Sequence, residues 1–271
     1  MKLVSIGDCG VDRYMPENKL LPGGITANFT RQARRAFKTT DEIDIISLLG
    51  DDEEAETALK AVNVSGINCH INKTHGQTPV QYIKIQQDGE KDFFKYDRGV
   101  LENFYIDDDQ KQILKNADLI MTPIYWQIKN VFDIVLSAET KAKIAVDFSD
   151  FATDPDFDLL EKYLGKIDIA FFGLSINHCE LIDRLCDLSK SKNKLMIITL
   201  GEKGSMSFSG NEKFQCPAMS VANIVDTTGA GDAFAAGFLS SFVHQENIEK
   251  ALKEGSKIAA ITIQHLGSVP T

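Results

Sequence analysis

Two aspartates bracket a glycine turn in the heptad DTTGAGD, Asp226 to Asp232, after which the chain runs on as AFAAGFLSSFV with apolar residues every three to four positions. A loop that opens into a helix makes an anion site. The first helical turn has amide N–H groups with no intrahelical partner, the helix dipole adds partial positive charge, and glycines let a ligand close on the backbone. Asp232 is a carboxylate set beside that site. It can cap the helix and satisfy orphan donors. It can also act as a general base, taking a proton from a hydroxyl while the amides hold the charge on a transferring phosphoryl group.

Further stretches carry groups of use to such chemistry. Gly7 to Asp12 follow the first apolar run and place Asp8 and Asp12 where carboxylates could accept hydrogen bonds from sugar hydroxyls. PGGITAN, Pro22 to Asn28, puts Gly23 and Gly24 before a helix start, with Asn28 offering both a donor and an acceptor. TLGEKGS, Thr199 to Ser205, combines a tight turn with Lys203, which is either a lysine reaching for phosphate or a solvated residue of a hairpin. Asn177 and Glu180 form an NxxE spacing that would set both side chains on one helical face, suited to holding waters around magnesium. DFSD adds Asp147 and Asp150 at the end of another apolar run, as site carboxylates or as caps of the following loop.

Absent motifs narrow the chemistry. The sequence has no GxxxxGK[ST] phosphate loop, no GxGxxG after the first apolar run, no GxSxG elbow and no HExxH helix. Its five histidines share no metal-binding spacing, and its five cysteines form no CxxC pair, so buried thiols are expected rather than zinc or a disulfide framework. A net charge of -10 gives no reason to expect nucleic acid or an anionic membrane as partner. The opening MKLVSIGD reaches an acidic residue too early for a signal peptide, and no apolar run nears membrane-spanning length, so a cytoplasmic location is expected.

The elements that must position these groups follow from periodicity. Compact apolar runs at Lys2 to Ile6, Asp44 to Leu48, Leu119 to Thr122, Ile144 to Phe148, Ile167 to Phe172 and Leu195 to Leu200 suit parallel strands covered on both faces. Helical periods fall at Ile25 to Ala36, Asp52 to Val62, Asp107 to Leu114, Trp126 to Ser137, Asn177 to Leu188, Gly231 to Val243 and Ile248 to Gln264. Their alternation predicts an α/β fold with helices on both faces of one sheet. Val11 to Leu21, and Thr78 to Gln86 with Lys91 to Tyr96, alternate as strands outside that sheet, with Asp88 and Gly89 as a hairpin turn. Such strands either cover a ligand at the strand ends or form a plain edge hairpin.

GGxxxN, TLGxxG and DTTGAGD opening a long helix, in this order over essentially the whole chain, resemble the PfkB family of carbohydrate kinases, the ribokinase-like group. The resemblance implies one three-layer ribokinase-like α/β domain over residues 1–271, with a mostly parallel central sheet, flanking helices and a small β-sheet lid from segments near 11–21 and 78–98. It implies ATP as phosphoryl donor, Mg2+ as required metal and a sugar or nucleoside as acceptor. By position, Asp232 matches the family's catalytic base, and Gly229, Ala230 and Gly231 match its anion hole. Asp12, Gly23, Gly24 and Asn28 match acceptor contacts; Gly201, Lys203 and Gly204 match a nucleotide-contacting turn; Asn177 and Glu180 match the magnesium element. Asp226 and Thr228 fall where relatives hold a monovalent cation such as K+, although the short tail after Gly267 leaves few residues to complete that site.

SIGDCGVD, YDRGV, DFSD, TLGEKGS and the compact length are similar to a subgroup of that family, the fructoselysine 6-kinases and other fructosamine kinases. That likeness implies transfer to the terminal hydroxymethyl group of a ketoamine sugar. Arg98 in YDRGV becomes a candidate substrate contact, with a solvated turn arginine as the alternative. Ribose, fructose or nucleoside kinases are the rival enzymes, and a noncatalytic sugar- or nucleotide-sensing protein is the rival class. A homodimer clasped through the lids is expected if the lid carries an exposed apolar face.

Overall fold

Runs of apolar residues with both faces covered stack side by side in the computed structural model, which describes residues 1–85, 91–125 and 128–268. In chain order the strands are β1 (Lys2–Ile6), β2 (Gly10–Met15), β3 (Lys19–Gly23), β4 (Glu42–Leu49), β5 (Asn68–Lys73), β6 (Val80–Ile85), β7 (Lys91–Asp97), β8 (Leu119–Pro123), β9 (Lys143–Asp150), β10 (Ile169–Gly173), β11 (Leu195–Thr199), β12 (Ser205–Ser209) and β13 (Glu212–Cys216). The helices are α1 (Ile25–Ala36), α2 (Glu53–Leu59), α3 (Asp108–Lys115), α4 (Lys129–Ser137), α5 (Phe157–Tyr163), α6 (Cys179–Lys192), α7 (Ala230–Gln245) and α8 (Ile248–Thr262).

Nine strands form one sheet in the order β13-β12-β11-β10-β9-β8-β1-β4-β5, parallel except for the β12–β13 edge. Alternate residues of each central strand feed two cores. Val4, Ile6 and Ile198 pack with Phe132, Leu160 and Leu185 of α4, α5 and α6 on one side. Leu3 and Ile197 pack with Phe29, Phe234, Phe238 and Leu252 of α1, α7 and α8 on the other. The three-layer α/β architecture expected from the sequence is therefore present. A second sheet, β3-β2-β6-β7, is built from the two segments that alternate as strands, and Val11 and Val80 seat it on Ala55 and Ala58 of α2.

Several boundaries differ from the sequence reading for physical reasons. β5 (NCHINK) is a half-exposed edge strand, and β12 and β13 form an antiparallel hairpin in which serines alternate with apolar residues. None presents the continuous apolar run of a buried parallel strand. α6 starts only at Cys179, so Asn177 lies in the turn before it and does not share a helical face with Glu180. β3 extends through Pro22 and Gly23, which places the first two residues of PGGITAN on an edge strand of the small sheet. The expected Asp88–Gly89 turn and the first two residues of the expected helix from Trp126 lie outside the described residues.

Candidate active site

A cavity of about 1600 Å³ opens at the carboxyl ends of β1, β8, β9, β10 and β11, beneath the small sheet. Open parallel sheets place their ligands there because loops leaving adjacent strands diverge and helix N-termini point inward. On its floor α7 begins. Gly229 caps it in the left-handed conformation (φ 75°), and an added Cβ would come within 2.6 Å of Ser268. Glycine is required there on both grounds. Gly231 has open space where a side chain would be, as does Gly201 across the cavity, so both leave the backbone accessible to a ligand. A helix start of this kind suits an anion, although the Ala230 N–H is also given to the Thr227 carbonyl at 3.2 Å.

Asp232, on the first turn of α7, is 7 % exposed and lines the same cavity. Burial, then the nearby charge of Asp147, pushes its carboxyl well above the ordinary range, while a hydrogen bond from Asn28 opposes the shift. Asn28 is itself held. Its Oδ1 accepts from Ser268 Oγ at 2.6 Å, so its amide N–H groups are the ones free to face Asp232, and Gln32 Nε2 fixes the Ser268 carbonyl at 2.8 Å. Asp226 buckles the same region: its two oxygens accept from Thr228 N at 2.8 Å and Gly267 N at 2.9 Å. From above, the Tyr14 hydroxyl of β2 reaches Thr228, and burial pushes that phenol up to about 12.

The amino-terminal carboxylates divide their work. Asp8 caps α1 from a distance, accepting from Ile25 N at 2.9 Å and from Thr26 N and Thr26 Oγ1 at 3.0 Å. Asp12, on β2, is buried and lines the cavity beside Asn28 and Gly24. Gly24 lines the cavity, whereas Gly23, also expected as an acceptor contact, does not. A Cβ there would lie 2.3 Å from Asp12 Oδ1, and one at Gly24 would lie 2.9 Å from the Asp8 carbonyl. These glycines first make room for the protein's own aspartates.

Other expected residues sit elsewhere. TLGEKGS closes the β11–β12 hairpin: Gly201 lines the cavity, Lys203 is exposed and paired with Glu202 at 2.8 Å, and Gly204 packs against the Cys216 carbonyl. The solvated-lysine reading of Lys203 describes this geometry. Arg98 pairs with Glu102 and is not among the residues that line the cavity. Asn177 and Glu180 are exposed at the start of α6 and do not line it either. Three further groups complete the cavity: Asp147 of DFSD, Tyr96 of YDRGV, and Tyr125, which no motif flagged. Tyr96 and Tyr125 stand edge-to-face with ring centroids 5.6 Å apart and hydroxyls 3.1 Å apart, and Asp147 closes the end of β9 with its carboxyl pushed up by burial to about 6.

An amide cradle at a helix start, a buried carboxylate at its mouth and a roof of strands together define the site of a small-molecule phosphotransferase built on an α/β sheet. Comparison with known proteins gives the family: residues 2–271 match the pfkB family carbohydrate kinase model, and the chain belongs to that family. It is 27% identical to the fructosamine kinase FrlD of Bacillus subtilis, over 97% of this chain and 90% of that protein. It is 28% identical to the fructoselysine 6-kinase of Escherichia coli, over 98% of each. Among solved structures, an Arabidopsis thaliana ribokinase complexed with ribose and ATP superposes with a TM-score of 0.77 at 20% identity, covering 99% of this chain and 95% of that one. A structure from Escherichia coli that holds ATP and Mg2+ superposes with a TM-score of 0.81 at 19% identity, covering 98% and 94%. The protein is thus a carbohydrate kinase, a phosphotransferase with an alcohol group as acceptor.

Proposed function

We propose that this kinase transfers the γ-phosphoryl group of ATP to a primary hydroxyl of a sugar or sugar-amine conjugate, with a fructoselysine-type ketoamine as the acceptor best supported. The observation that carries the reaction is the placement of Asp232, buried, lining the cavity and next to the open backbone of Gly231. In this reading Asp232 takes the proton of the sugar hydroxyl as it attacks in line. The amides of Gly229, Ala230 and Gly231 hold the charge on the transferring group, and the small sheet excludes water that would otherwise be phosphorylated. Asp12 and Asn28 hold acceptor hydroxyls.

Mg2+ neutralises phosphate charge when bound and takes much of its coordination from water and phosphate oxygens. Among the described residues no cluster of His, Cys, Asp and Glu forms a protein cage for a metal, which fits a cation carried by the nucleotide. Asn177 and Glu180 are then outer contacts through water, and Gly201 is the contact of the β11–β12 turn with nucleotide. The ketoamine acceptor is supported by near full-length similarity to the two fructosamine-type kinases. We also propose that lids of two chains pair, on the strength of the apolar residues the small sheet exposes. A panel of ketoamines, fructose, ribose and nucleosides assayed by ADP release tests the activity and its acceptor: the highest kcat/KM is expected for the ketoamine, and no product from any acceptor defeats the reading.

A further inference from the structure

Asp147 has no part in the transfer just described, yet it is a carboxylate 8 % exposed on the cavity wall. β9 delivers it between Pro123 of β8 and Phe171 of β10. At Ser149 the backbone then turns left-handed (φ 51°), a conformation uncommon for serine, and this aims the Ser149 N–H back at Asp147 Oδ1, 2.7 Å away. One oxygen is therefore fixed by the protein. Among the described residues no lysine or arginine pairs with Asp147, although its charge acts on Asp232 more strongly than that of any other residue.

The charge balance of the cavity is lopsided. Eight of its lining residues are aspartates, and only Lys95 and Lys129 are basic. Several of these carboxylates are already answered by the protein's own donors: Asp8 by the α1 amides, Asp226 by Thr228 and Gly267, Asp156 by Leu159 N, Asp150 by the Thr153 hydroxyl. Asp147 has a single N–H. A buried carboxylate beside another carboxylate is costly unless a cation arrives to pair with it, and an anionic phosphoryl donor adds to the imbalance. The Tyr96 and Tyr125 rings line the same cavity, and aromatic walls of this kind also suit an ammonium group.

We propose that Asp147 reads the charge of the acceptor, its second oxygen pairing with a protonated amine borne by the sugar being phosphorylated. The assignment rests on the kinase reading above and adds to it a residue that separates amine-bearing from neutral sugars. Asp147→Asn keeps an oxygen for the Ser149 N–H, so the turn survives while the charge is lost. The probes are a fructose-derived ketoamine with a protonated secondary amine, its N-acetylated form, and fructose. Each is measured by calorimetry without ATP and by steady-state turnover with it.

The wild-type protein is expected to bind the ketoamine at least about tenfold more tightly than the acetylated form. Asp147→Asn is expected to weaken ketoamine binding and raise its KM by about 10- to 100-fold, as loss of one partner of a buried charge pair does. At a pH above the acid limb of the kcat profile, fructose, the acetylated probe and kcat at saturating ketoamine should change by less than about threefold. Equal weakening for all three probes, unchanged ketoamine affinity, or a raised Mg2+ requirement at constant acceptor affinity would each overturn the assignment. So would equal affinity of the wild-type protein for the charged and acetylated probes, a comparison that needs no variant. Selective amine binding lost in Asp147→Asn, without product from any acceptor, would leave Asp147 assigned and remove the kinase reading. Turnover of neutral sugars with no amine selectivity would do the reverse.

Discussion

At the scale of single residues, the site depends on a carboxylate that the protein makes reluctant to ionise. Asp232→Asn removes the only group proposed to take the hydroxyl proton, so kcat is expected to fall about 10²- to 10⁴-fold with sugar KM within a few-fold of wild type, measured by steady-state kinetics. Because burial and the Asp147 charge raise its pKa, the base is active only above that raised value. The acid limb of the kcat profile should therefore lie above the ordinary carboxylate range, and Asp147→Asn, by removing a like charge, should move it to lower pH. Stability should move the other way. The Asp147 carboxyl titrates at about 6 in the folded protein against an ordinary 3.8, so the folded state holds that proton more tightly. Its contribution is full below 3.8 and is lost as pH rises through 6. Asp147→Asn should thus be more stable than wild type at pH ~8, by about 1–3 kcal/mol, with the gap closing toward pH ~4 in denaturant titrations. A constant gap across that range would mean that packing, not ionisation, sets the difference.

At the scale of elements, the segment after α8 braces the site. Ser268 donates to Asn28, its carbonyl is held by Gln32, Gly267 N binds Asp226, and Ser268 packs where a side chain on Gly229 would stand. Ser268→Ala should free the Asn28 amide to rotate. The expected result is a rise of about tenfold in sugar KM and a smaller fall in kcat, with the melting temperature little changed and function restored by Ser268→Thr; unaltered kinetics would show that Asn28 is oriented by other contacts. This link was not legible in the sequence, because Ser268 and Asn28 meet only through the fold and belong to no shared motif. DTTGAGD was legible, since a glycine turn running into a helical period has one common physical meaning. GGxxxN was legible as glycine need but not as its cause, which is room for Asp8 and Asp12. Spacing misplaced Asn177, since it cannot tell the last residue of a turn from the first of a helix. Lys203 pairs with its neighbour, an outcome that a short motif leaves open. The edge strands β5 and β13 escaped notice because water covers part of each, and β12 because buried serines alternate with its apolar residues.

At the scale of the molecule, two sheets of unequal size share one chain and one cavity. The nine-stranded sheet buries apolar residues on both faces, whereas the small sheet rests on a smaller cluster that joins it to α2, Ala27 of α1 and Ile45 and Leu49 of β4. Isolated four-stranded sheets cover their apolar residues poorly. Ile85, Phe93 and Phe94 are 61 %, 56 % and 41 % exposed on β6 and β7, the strands farthest along the sheet from β3. Exposed apolar residues grouped on two paired strands mark an association surface. A second copy of the chain, offering the same strands by two-fold symmetry, would cover them without any other partner. Light scattering at micromolar concentration is therefore expected to give twice the chain mass of 30.0 kDa. Ile85→Glu, which does not line the cavity, should return the monomer and raise sugar KM, since strands that roof the cavity would lose their support, while the melting transition of the large sheet stays within a few degrees. A wild-type protein that remains monomeric at every concentration would mean that the small sheet closes the cavity unaided, and the rise in KM would then be absent from the variant as well.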